Sequence, residues 1–89
     1  LERHQEAVTA CEEVVDRFGN AEKLELREQV ARALVNKGIG LGALGRPEDE
    51  DAAYEEVIAR FGNAEEPELR AQVERATQGL AVEGDLKSP

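Results

Sequence analysis

The chain has 89 residues, of which 40% are apolar and only 3% aromatic, and it carries a formal charge of −9. That length accommodates one small domain with a limited core. Asp and Glu outnumber Lys and Arg by 20 to 11, which argues against nucleic acid and against an anionic membrane surface, since both need clustered cations.

The apolar residues are mostly Ala, Leu and Val, which suit close-packed helices. No apolar run approaches the ~20 residues of a membrane span, and no signal peptide is visible. The sequence holds no Met, so it reads as a piece of something longer or as a chain with a processed start. A lone cysteine, Cys11, forms no internal disulfide and predicts a reducing, cytoplasmic setting. Together with a lone histidine, His4, it supplies too few ligands for zinc, and no cofactor is expected.

The first predicted helix covers residues 1–19, with Ala7, Ala10, Cys11, Val14, Val15 and Phe18 as its buried face. A longer helix follows over residues 24–44, where Leu26, Val30, Ala33, Leu34, Leu41 and Leu44 recur at helical spacing. Gly45 stands where a left-handed cap ends a helix. Pro47 opens the third helix, and the acidic run from Glu48 to Asp51 suits the positive end of its macrodipole. Its buried face is Ala53, Tyr54, Val57, Ile58 and Phe61, and Gly62 closes it. The fourth helix starts at Pro67 and runs to residue 84. Gly79 and Gly84 interrupt it, each at ~1 kcal/mol relative to Ala, and residues 85–89 are expected to fray. The fold class is therefore all-α, with about four antiparallel helices.

The strongest signal is an internal repeat. Residues 12–34 read EEVVDRFGNAEKLELREQVARAL, and residues 55–77 read EEVIARFGNAEEPELRAQVERAT. Roughly two in three positions are identical at a spacing of about 43 residues, within the range of helical solenoids. Phe18, Leu26, Val30 and Ala33 recur as Phe61, Leu69, Val73 and Ala76, which predicts the core of each unit. Leu24 becomes Pro67, as the first turn of a helix allows.

The stretch from Asn36 to Arg46, with Ala53-Tyr54 after it, resembles the tetratricopeptide repeat. Gly38, Leu41, Gly45 and Tyr54 match that family's small, large apolar, turn and aromatic positions. Glu50 departs from it, standing where the family has a small residue; Ala7 agrees at that place in the first copy. The repeat is also about nine residues longer than the usual ~34, as in the long-helix variety found in many bacterial repeat proteins. The resemblance implies a fragment of a right-handed α-solenoid that begins and ends in mid-repeat: a second helix (1–19), a full pair (24–62) and a first helix (67–84). Cys11, Phe18, Gly38, Leu41, Tyr54 and Phe61 would form the repeat core, with Tyr54 or Cys11 filling the space beside Gly38, Gly40 and Gly42.

The same resemblance places Asn36 on a concave groove, where its amide would hydrogen-bond an extended peptide. Arg32, Val35, Ile39 and Ala43 would share that side, and Arg75 repeats Arg32. Two groove arginines would take carboxylates; the competing reading pairs Arg32 with Glu28 at i, i+4 on the helix surface. Other candidates fall away. The acidic run lacks the alternating ligands and glycine of a calcium loop. Gly38, Gly40 and Gly42 follow no strand, so they are no dinucleotide fingerprint. His4 and Cys11 have no partner pattern for catalysis.

The expected function is a non-enzymatic protein- or peptide-binding scaffold whose partners carry basic segments. Two alternatives stand beside it. The broken repeats would complete one another in a homo-oligomer joined end to end, or the chain would be the regulatory arm of a larger enzyme.

Overall fold

The computed structural model describes the backbone from residue 2 to residue 87 and the side chains from residue 3 to residue 80. Four α-helices follow in order: α1 (Glu2–Phe18), α2 (Leu24–Ala43), α3 (Pro47–Phe61) and α4 (Pro67–Lys87). Each packs antiparallel-fashion on the next, and α2 also touches α4. Helix α2 is thus the one element packed against all three others among the described residues. The Cα extents are 41 × 29 × 15 Å. A helix with side chains is about 10–12 Å across, so the slab is thin and every helix keeps a wet face.

The ends follow local chemistry. Pro47 and Pro67 are the first residues of α3 and α4, where a missing N–H costs nothing. Leu44 caps α2 with its N–H, and Gly45 turns the chain at φ +75°, a left-handed conformation that L side chains resist. Gly62 ends α3 without leaving the right-handed region, its N–H bonding to the Ile58 carbonyl at 2.8 Å. Helix α4 continues past the expected end at residue 84 to Lys87; Ser88 and Pro89 lie outside the described residues.

The core joins Val30, Ala31, Leu34 and Val35 of α2 to Tyr54, Val57 and Phe61 of α3 and to Leu69 and Ala76 of α4. Phe18 and Val15 of α1 pack against it from the side. Two expectations need correction here. Val35, placed on the groove side by the sequence, is only 1% exposed, because α2 is covered from three directions and little of its circumference is left open. On α1 the deepest residue is Val8, not Ala7 or Ala10, which are exposed.

The glycines of α2 mark close approaches to three different neighbours. A Cβ at Gly38 would lie 2.5 Å from Tyr54 Cε1, one at Gly40 would lie 2.9 Å from Val8 Cγ2, and one at Gly42 would lie 2.7 Å from the Glu50 carboxylate. Gly79 of α4 meets the other edge of the same tyrosine, 2.7 Å from Cε2. Gly79 is therefore a packing residue and not a flaw in α4. Glu50 fits despite its size because Gly42 leaves room for it, and it accepts a hydrogen bond from the Tyr54 hydroxyl at 3.0 Å.

Gly38→Ala should destabilise the chain by about 2 kcal/mol, because overpacking against a fixed ring outweighs the ~1 kcal/mol gained in helix propensity. Adding Tyr54→Cys, the residue type of the first copy, should leave the double variant more stable than the two single losses predict. Urea denaturation of the four chains measures that coupling; strict additivity would place the strain elsewhere.

Candidate functional site

Helix α2 carries one continuous exposed stripe. Arg32, Asn36, Ile39 and Ala43 are all exposed, at spacings that keep them on one side of the helix. Ile39, 51% exposed, is the one large apolar residue that is exposed rather than buried or half-buried among the described residues. Arg75 on α4 is exposed as well, in the same register as Arg32. Of the six residues expected on the groove side, Val35 is buried and the other five are exposed.

The two arginines are already engaged. Arg32 donates to Glu28 Oε2 at 2.9 Å, as the surface-pair reading expected, and Arg75 donates to Gln72 Oε1 at 3.1 Å. Asn36 and Ile39 are left to meet a ligand with the amide and the apolar contact.

Beside the stripe runs a shallow groove of about 250 Å³ between α1 and α2. Ala10, Cys11 and Val14 form one wall, and Gln29, Arg32, Ala33 and Asn36 form the other. The sequence placed Ala7, Ala10, Cys11 and Val14 on the buried face of α1, whereas Ala7 and Ala10 are exposed and Cys11 and Val14 half-buried. No described helix stands on that side of α1, so the same pattern is left open.

A second cleft, also about 250 Å³, crosses α2 between α1 and α3. Its charges are internally matched: Lys37 pairs with Glu12 at 3.3 Å, and Arg46 pairs with Asp49. Nothing in the sequence pattern singled this cleft out, because its walls come from helices 43 residues apart in register, about one repeat. Among the described residues no group of His, Cys, Asp and Glu is placed to hold a metal ion. Nor is any helix long and apolar enough to cross a membrane.

Arg60 ties the two copies together. It reaches back to the turn after α1, donating to the Gly19 carbonyl at 3.3 Å while held by Glu56 at 2.8 Å. Arg27 lies over the Phe61 ring at 5.7 Å and pairs with Glu66 at 3.7 Å. Both links secure the turn ends of the helices, away from the Ile39 end of α2.

The Cys11 thiol is pushed up from its ordinary value of 9.0 by burial first and by the neighbouring Glu12 second, while Lys37 pulls the other way. The fold thus favours the protonated thiol; its contribution to stability is complete below 9.0 and is lost as pH rises through the elevated value. At pH 8, alkylation of Cys11 by iodoacetamide should run more slowly in the folded chain than in the same chain in urea, and a reversal would mean that the thiolate is stabilised. In comparisons with known proteins, the chain matches no family model, no curated relative and no solved structure.

Proposed function

We propose that this chain is a protein-binding scaffold module of the tetratricopeptide type, without catalytic chemistry of its own. The observation that carries the reading is the α2 stripe, in which an exposed Ile39 lies between Asn36 and Ala43 on an otherwise polar surface. An exposed apolar residue beside an amide suits an extended peptide: the amide bonds the backbone both ways, and the apolar residue takes a side chain.

Two features of the fold support the family reading. The order of helix contacts, with α2 touching α1, α3 and α4, is what stacked helix pairs produce when each first helix also meets the next. The tight seat of Tyr54 on Gly38 falls at the two positions that carry the resemblance. The formal charge of −9 favours partners with basic segments, and speeds their approach more than it tightens the final complex.

Selection of basic peptides on the full chain, followed by fluorescence anisotropy, tests the stripe. Ile39→Gln should weaken a selected peptide roughly 10- to 100-fold, the equivalent of losing one buried apolar side chain. Helicity should not change, since the residue is exposed. Unaltered affinity in Ile39→Gln and Asn36→Ala together would sink this reading of the stripe.

A further inference from the structure

A cavity of about 200 Å³ lies on the seam between the two copies of the repeat, where the turn after α1 meets the start of α2 and the last turn of α3. Phe18, Phe61, Ala21 and Val30 give it apolar walls. Its charged lining is Arg27 and Arg60, both positive, and no carboxylate lines it among the described residues. Every one of these positions carries the same residue type in both copies: Arg17 answers Arg60, Phe18 answers Phe61, Ala21 answers Ala64, Arg27 answers Arg70 and Val30 answers Val73.

Packing accounts for the apolar members, but not fully for the arginines. Arg60 uses Nε on Glu56 and Nη1 on the Gly19 carbonyl, which leaves Nη2. Arg27 lies over the Phe61 ring, and its ion pair with Glu66 spans 3.7 Å, beyond the roughly 2.7–3.2 Å of an N–H···O hydrogen bond. Among the described residues the Arg27 guanidinium has no hydrogen-bond acceptor. Nor does the ion pair explain why this arginine recurs as Arg70: Glu66 itself answers to Lys23, a base.

We propose that this cavity binds a small organic acid, whose carboxylate lies between Arg27 and Arg60 and whose short apolar stem rests on Phe18 and Phe61. Guanidinium groups offer a planar fork of donors that matches a carboxylate. Two cations lining one small cavity repel each other, and an anion between them relieves that repulsion. The aromatic rings take an apolar stem, which a bare anion such as phosphate does not have. A volume of about 200 Å³ falls below the ~300–1,000 Å³ of drug-sized sites, so the ligand is small. The chain's charge of −9 opposes any anion at long range, but salt screens that field beyond about 8 Å and the two arginines act at contact. Arg27 stands about 18 Å along α2 from Ile39, so this site and the stripe stand or fall separately.

An NMR titration of the full chain with phenylacetate, phenylacetamide, acetate and inorganic phosphate tests the proposal. Phenylacetate should shift the signals of residues 18–21, 27–30 and 60–61 and the side-chain N–H signals of both arginines, with a Kd of about 1 mM or below. The other three should bind at least about tenfold more weakly. Arg27→Lys keeps the charge but loses the fork, and should weaken phenylacetate about tenfold with unchanged circular dichroism. Glu66→Gln removes the competing carboxylate and should tighten binding about twofold. Arg46→Gln, the same loss of one positive charge near the far end of α2, should leave it unaltered. Phenylacetate that does not saturate by about 20 mM, phosphate or acetate binding as tightly, or undiminished affinity in Arg27→Lys would each overturn the proposal. A peptide ending in Phe with a free carboxylate separates the sources: tighter binding than phenylacetate makes the acid a chain terminus, weaker binding makes it a free small molecule, and both uphold the site.

Discussion

The ring of Tyr54 holds the molecule together. One edge lies on Gly38 of α2 and the other on Gly79 of α4, while its hydroxyl donates to Glu50 on its own helix. Three helices converge on one side chain, and only residues without a Cβ let their backbones come that near. Glycine in a helix costs roughly 1 kcal/mol against alanine, so the close approach must return more than that in packing. Everything placed around this junction follows: the burial of Val57 and Leu34 beside it, the fit of Glu50 against Gly42, and the contact between α2 and α4 that fixes where Arg32 and Arg75 emerge.

Most of the architecture was legible in the sequence. Pro47 and Pro67 gave the starts of α3 and α4, Gly45 marked the end of α2, and the duplicated segment gave the core positions Phe61, Leu69 and Ala76. What the pattern did not reveal concerns neighbours and not helices. A helical period shows that Val35 or Ala10 lies on a given face; it does not show whether another helix covers that face. Val35 was buried by a third contact on α2, and Ala10 was exposed by the lack of a described helix beside it. Gly79 read as a weakness because propensity is local, whereas its reason sits one helix away in Tyr54. Val8 was overlooked because its counterpart in the second copy is Asp51, so the repeat gave no support for it.

The candidate binding surfaces were less legible for the same reason. Asn36, Ile39 and Ala43 could be placed on one stripe from spacing alone, and they are exposed. The groove of Cys11, Val14 and Asn36 required knowing how α1 sits on α2. Asn36 belongs both to the stripe and to the wall of that groove.

The thinness of the slab, 15 Å in its shortest Cα dimension, has a consequence for how such a chain changes over time. With so little interior, the residues that decide folding are few and lie along the seams between helices. The exposed residues are many and lie on the two broad faces. A substitution at Asn36 or Ala43 alters what the surface offers without entering the seams, whereas one at Gly38 does the reverse. Evolution and protein engineers can therefore revise the surface of this fold almost independently of its stability, and a helix-pair framework of this kind can be kept while its broad faces change.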